Sequence, residues 1–329
     1  MDVGSIKYLQ PQEIALEQHN ETLLKENANR WVMFPIHYDA LWAMYKEIEN
    51  SFWAAEDFRF ANERDTYSSL PTELRQLVVK LISYHNRLDR SEVARPATIT
   101  LDLLADTQIP EARAFYGFQV SYENIHSELF GIMSSAIPGT IDVPEADAKI
   151  EWLTRNLTST SCFYIKVILQ CISKAIFRSA FGILADYLRN SKKLPTLLSA
   201  LDTVAKDVSI HLKFAMAALE HLKLRPTRET VMELLNSAYD LEMAYCRSVL
   251  PMDHMGLSEY HLSQYIKNNV NQCLLITGNT EEHRVKVELG WLKPSIFTGN
   301  ASTQVRQIQR KIQPVEENSG GSISFNEDF

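Results

Sequence analysis

The sequence predicts an all-α protein built as a helical bundle, and three observations carry that. Long segments place apolar residues at i, i+3, i+4 and i+7, the period of a helix that buries one face. Glycine is scarce, 11 in 329 residues, and with proline it mostly punctuates the ends of those segments. No run of alternating polar and apolar residues reads as a strand, and no repeat recurs at solenoid spacing.

Taken in order, residues 1–30 form a polar, charged N-terminal extension. "DALWAMYKEIENSFWAAEDF" follows, with Leu41, Met44, Tyr45, Ile48 and Phe52 on one helical stripe. "LPTELRQLVVKLISYHNRLDRSEVARPATITLDLLA" continues as helix. "IPEARAFYGFQVSYENIHSELFGIMSSAI" is a long, mostly apolar helix rich in aromatics, and "IPGTIDVPEAD" is the connector after it. "DAKIEWLTRNLTSTSCFYIKVILQCISKAIFRSAFGILADYLRN" reads as one more long helical region. "PTLLSALDTVAKDVSIHLKFAMAALEHL", "RETVMELLNSAYDLEMAYCRSVL" and "SEYHLSQYIKNNVNQCLLITG" complete the set, the second capped by the threonine of "LRPTRE". From Ala301 the composition turns polar, with Ser-Gly-Gly and an acidic-aromatic end. The expected organisation is an extension (1–30), a helical domain (31–300) and a flexible C-terminal tail (301–329).

Composition bounds the function. A hydrophobic share of 45% and a charged share of 22% give ample apolar material for a large core. A net charge of -8 argues against a nucleic-acid or anionic-membrane surface. No apolar run is expected to reach the roughly 18 residues of a membrane span. The N-terminal stretch is neither a signal peptide nor an Arg-rich transit sequence, so a cytoplasmic location is expected. Cys162, Cys171, Cys246 and Cys273 form no C-x-x-C pair and read as buried small hydrophobes in a reducing compartment.

One motif carries chemistry. In "SYENIHSELFGIM", Glu123, His126 and Phe130 lie on one helical face. Glu-x-x-His is how di-iron bundles present half of a metal site. A second half belongs on a later helix, where "AKDVSIHLKFA" supplies His211 but has Val208 in place of the glutamate.

Five stretches together resemble the small, radical-generating subunit of class I ribonucleotide reductase. They are "WVMFPIHYDALWAMYKEIENSFWAAED", "EARAFYGFQVSYENIHSELF", "KDVSIHLKFA", "YIKNNVNQCLL" and the terminal "FNEDF", in the family's order over nearly the whole length. The resemblance implies a ferritin-like helical bundle with a tail that docks to the large subunit. It also implies a di-iron site of one Asp or Glu, three Glu and two His. Carried over one at a time, the first carboxylate position holds Arg59, in "SFWAAEDFR". Glu123 and His126 match the next pair. The third carboxylate falls at Ser173 in "SKAIFRSAF", with Cys171 and Lys174 as neighbouring alternatives that are not carboxylates either. The last pair reads Val208 and His211.

Such a set is short of negative charge. Two iron ions need several carboxylates to neutralise and bridge them, and a guanidinium cannot be titrated away. At about 4 Å, two like charges cost several kcal/mol even at an effective dielectric near 20. Arg59 is therefore expected to pair with Glu123 in place of a metal. The radical tyrosine position is Phe130, which has no phenolic proton to lose. Of the family's electron path, Trp42 and Asp207 match, as an inherited polar contact with His126, but no tyrosine follows Tyr265 and the matching tail position is Ile308. Lys174 and Arg178 are read as compensating a buried acid or as snorkelling.

The expected function is thus an accessory, non-radical-generating small subunit of ribonucleoside-diphosphate reductase, with no catalytic residue and no cofactor of its own. It would pair with a competent small subunit, or with itself, and bind the large subunit through Phe325, Asn326, Glu327, Asp328 and Phe329. Two alternatives stay open. One is an active small subunit with an atypical metal, such as a single iron or manganese ion on Glu123, His126 and His211. The other is a helical scaffold repurposed outside nucleotide metabolism.

Overall fold

The computed structural model describes residues 5–137 and 139–293. The tail residues Phe325, Asn326, Glu327, Asp328 and Phe329, and Ile308, lie outside the described residues. Strand β1 (Lys7–Leu9) leads into helix α1 (Pro11–Glu17). Glu13 accepts a hydrogen bond from the Gln10 amide at 2.8 Å, which closes the helix start. Ile14 and Leu23 bury the extension against the body. Strand β1 pairs in parallel with β2 (Leu224–Pro226), Lys7 opposite Leu224. Three-residue strands carry no readable alternation, so this pair went unpredicted. Glu21 fixes the crossing by accepting from the amides of Lys223 (2.8 Å) and Leu224 (3.0 Å).

The body is helical. It comprises α2 (Asp39–Glu49), the short α3 (Arg64–Ser68), α4 (Thr72–Asp89), α5 (Pro96–Asp106) and α6 (Pro110–Ala136). Then come α7 (Pro144–Ser159), α8 (Phe163–Cys171), α9 (Ser179–Ser191), α10 (Pro195–Glu220), α11 (Arg228–Val249), the short α12 (Met252–Met255) and α13 (Glu259–Ile276). Proline opens α1, α5, α6, α7 and α10, where its missing N–H costs nothing and its fixed φ suits a first turn. Thr227 caps α11 by accepting from the Thr230 amide, the cap expected from "LRPTRE".

Two of the long helical regions are broken. The stretch from Leu70 to Ala105 splits into α4 and α5 because the residue before Pro96 leaves the helical region, Arg95 having ψ 131°. The stretch from Asp147 to Asn190 splits into α7, α8 and α9, and a π-helical segment, Ile172–Ile176, joins α8 to α9. That segment matters for the site, since a π-turn inserts a residue and re-aims its side chains.

Contrary to the expectation that no segment would qualify, Phe163–Ser191 is by length and composition long and apolar enough to cross a membrane. Its most apolar window is 89% buried inside the protein. It is apolar all round because other helices surround it. Helix α6 lies centrally, packing on α2, α4, α5 and α10, and it carries the motif face inward.

Candidate functional site

Helices α6 and α10 and the π-segment bring five polar side chains into one buried centre. Glu123 and His126 come from adjacent turns of α6, Asp207 and His211 from α10, and Lys174 from the π-segment. All five are buried. The Lys174 ammonium donates to Glu123 Oε1 in a direct ion pair. It also lies 3.3 Å from His211 Nδ1. His211 Nδ1 is 3.5 Å from the same Glu123 oxygen, and His126 Nδ1 is 3.6 Å from Glu123 Oε2. The second nitrogen of His126 meets Asp207 Oδ2 at 2.9 Å, and Trp53 Nε1 donates to that same oxygen at 2.9 Å. The Trp53 ring stacks on His126 at 5.9 Å.

The charges balance internally. Burial pushes the Glu123 carboxyl up, but Lys174 and the two imidazoles outweigh it and hold the group well below the usual range. Burial pulls His126 down, yet its bonds to Asp207 and Glu123 leave it raised, favouring the imidazolium. His211 goes the other way: burial and the neighbouring Lys174 hold it well below its ordinary value, so it is neutral. With Nδ1 accepting from Lys174, the proton sits on His211 Nε2, a buried atom without a partner among the described residues.

Around this centre, Phe130 is buried and its ring stacks on His85 at 3.7 Å. His85 lies 3.4 Å from Asp89, one turn on in α4. Burial pushes the Asp89 carboxyl up, but His85 and Ser127 more than offset that and leave it lowered. Val208 is buried and lines a cavity of about 80 Å³ with Lys174 and Arg178.

The structure corrects three expectations. Arg59 is exposed on the loop before α3, and Glu123 pairs with Lys174 instead. The side chain that reaches Glu123 from the π-segment is thus Lys174, not its buried neighbour Ser173. Trp42 packs between Phe34 (6.0 Å) and Tyr45 (5.2 Å), whereas the tryptophan bonded to Asp207 is Trp53. Trp53 stood in the quoted "SFW", but helical spacing cannot say which tryptophan a loop turns inward. Asp89 and His85 carried no signal beyond an i, i+4 pair on an amphipathic helix.

The donor set does not fit a two-metal centre. One carboxylate, Glu123, faces the two imidazoles, and an ammonium is already paired with it and lies beside His211. Among the described residues, no group of three or more His, Cys, Asp or Glu side chains is arranged to hold a metal ion. What the arrangement does chemically is bury and neutralise charge through fixed protein groups.

Residues 30–287 match the family described as "Ribonucleotide reductase, small chain". Over 299 residues the protein is 28% identical to the ribonucleoside-diphosphate reductase small chain of Schizosaccharomyces pombe, covering 86% of this sequence and 74% of that one. It is 28% identical over 324 residues to ribonucleoside-diphosphate reductase subunit M2 of Homo sapiens, covering 94% of this sequence and 82% of that one. The solved Rnr4 homodimer of Saccharomyces cerevisiae superposes with a TM-score of 0.77 at 23% identity, covering 91% of this protein and 96% of that one. Dimanganese(II)-NrdF of Streptococcus sanguinis superposes with a TM-score of 0.66 at 17% identity, over 82% and 96% of the two proteins. These structural likenesses bear out the ferritin-like helical fold.

Proposed function

From the premise that this chain belongs to the ribonucleotide reductase small-chain family, we propose that it is an accessory small subunit that generates no radical of its own. The observation that carries this reading is the Lys174–Glu123 ion pair at the point where His126 and His211 converge. A fixed ammonium there opposes any cation that the three remaining donors would attract. Phe130 supports the reading, since a phenyl ring packed on His85 offers no phenolic proton. On this account Val208 and the π-segment position from which Lys174 reaches Glu123 mark lost ligand positions, while Glu123, His126 and His211 persist as structural groups. Trp53, His126 and Asp207 form a polar relay that holds α6 to α10.

The protein then works through its surfaces. It pairs with a competent small subunit, or with a second copy of itself in the manner of the Rnr4 homodimer. Its terminal Phe325–Phe329 offers two aromatic anchors flanking Glu327 and Asp328 to a groove of the large subunit in the cytoplasm. Its role in deoxyribonucleotide synthesis is to stabilise and present the active partner. The test mixes this protein with a large subunit and a competent small subunit, with and without residues 325–329. Deletion should leave the thermal midpoint unchanged and abolish the protein's own binding to the large subunit. Unchanged association would remove the tail from the account. A second reading, a single metal ion on Glu123, His126 and His211, rests on their convergence and would require Lys174 to withdraw.

A further inference from the structure

We propose that the cavity beside Lys174 and Arg178 is a binding site for a small monovalent anion, of halide to carboxylate size. Its volume of about 80 Å³ is several times the ~10–15 Å³ that one water needs, so a small anion fits with a water beside it. The lining contains two cations, Lys174 and Arg178, and no carboxylate. Lys174 is already paired with Glu123 on its other side. Arg178 is different. It lies over the rings of Phe181 (4.9 Å) and Phe130 (6.0 Å), and among the described residues it makes no ion pair. Of the acids that act on it through space, Glu123 is paired with Lys174, and Asp89 lies beside His85 outside the cavity lining. The guanidinium is half-buried and has no ion pair of its own, and an anion in the adjoining cavity would supply the counter-charge.

Two further features suit an anion. Arg178 is the N-cap residue of the 13-residue α9, and the first turn of that helix forms one wall. Phe181, Gly182 and Ala185 follow Arg178 at i+3, i+4 and i+7, so one lateral face of α9 carries the guanidinium along the cavity wall. Opposite, Tyr265 reaches over Gly182, where any Cβ would collide with its hydroxyl, and this leaves the phenol as a donor at the cavity wall. The remaining wall is apolar, including Val208 and Leu201, and lowers the local dielectric so that each charged contact counts for more. Asn269 Oδ1, buried without a donor, is placed to take the accompanying water.

The probe is bromide, with formate as the carboxylate arm, on the full-length protein. Crystals grown in sodium bromide should show an anomalous peak inside the cavity, next to the Arg178 guanidinium. In solution, the thermal midpoint should rise with bromide or formate concentration beyond the rise seen for Val208→Glu, whose own carboxylate would fill the cavity. Arg178→Met should lose the same increment. Bromide found only at exposed lysines, or salt responses identical in wild type and V208E, would overturn the proposal. The crystallographic arm uses only the wild-type protein, so a variant that fails to fold leaves the test intact. It is independent of metal content, so its outcome is separate from that of the accessory reading.

Discussion

Replacing Lys174 by methionine keeps the side-chain length and removes only the charge that neutralises Glu123. For two charges about 3 Å apart at an effective dielectric near 20, the lost attraction is roughly 5–6 kcal/mol. Part of that is returned because the ammonium no longer has to be desolvated. Breaking one partner of a buried pair costs about 3–5 kcal/mol in practice, and that is the destabilisation expected at neutral pH. For a protein of this size it corresponds to a fall in thermal midpoint of about 4–7 °C. The pH dependence gives the sign. In the wild type Glu123 is held below its ordinary value, so its stabilisation is present above the unfolded value and is lost as pH falls through the folded one. Without Lys174, only the two imidazoles remain against the upward push of burial on Glu123. The deficit of K174M should therefore be largest near neutrality and shrink as the pH drops below the carboxylate range. Urea unfolding of K174M, E123Q and the double variant at neutral and acid pH reads this directly, and the double variant should recover much of the loss. A K174M deficit under about 0.5 kcal/mol at neutral pH, or one that does not change with pH, would refute the reasoning.

Trp53→Phe removes a bond to a charged acceptor and should cost about 1.5–3 kcal/mol, whereas Trp42→Phe, a half-buried ring with no hydrogen bond to Asp207, should cost less; chemical denaturation ranks the two. Lys149 and Glu242 pair at 2.6 Å with no solvent exposure, inside a cage of the Tyr84 and Tyr245 rings at 4.0 and 3.8 Å from the ammonium. Lys149→Met alone should cost about 3–5 kcal/mol, while the K149M/E242L pair should come much closer to wild type in the same assay. Gly182→Ala should lower the thermal midpoint by the equivalent of about 1–3 kcal/mol, because the new methyl meets the Tyr265 hydroxyl in a packed wall.

The fold was legible because its signals are local and redundant. The periodicity of α2, α6, α10 and α11, helped by the prolines that open α6 and α10, needs no tertiary information. The Glu123–His126 pair and His211 were legible for the same reason: i, i+3 spacing fixes a face. What was not legible depended on a single irregularity. A π-segment at Ile172–Ile176 decides which of Ser173 and Lys174 points at Glu123, and a regular helical template has no means of choosing. Arg59 went astray because it sits in a loop between two 3₁₀ turns, where no period constrains the side chain. Trp53 lies just before the first of those turns and reaches inward to Asp207, a contact spanning 154 residues of sequence. The charge argument survived the change of residue, because the centre needed a cation beside Glu123, and Lys174 supplies it.

The central claim is that protein charge, and not metal, neutralises this centre. The most direct test is the metal content of the full-length protein following aerobic reconstitution with ferrous or manganous ions, read together with its electron paramagnetic resonance spectrum. The account predicts no stoichiometric metal and no radical signal in the protein by itself, and the appearance of both only when a competent small subunit is added. A full pair of ions bound to this protein without a partner, with Lys174 displaced from Glu123, would contradict it.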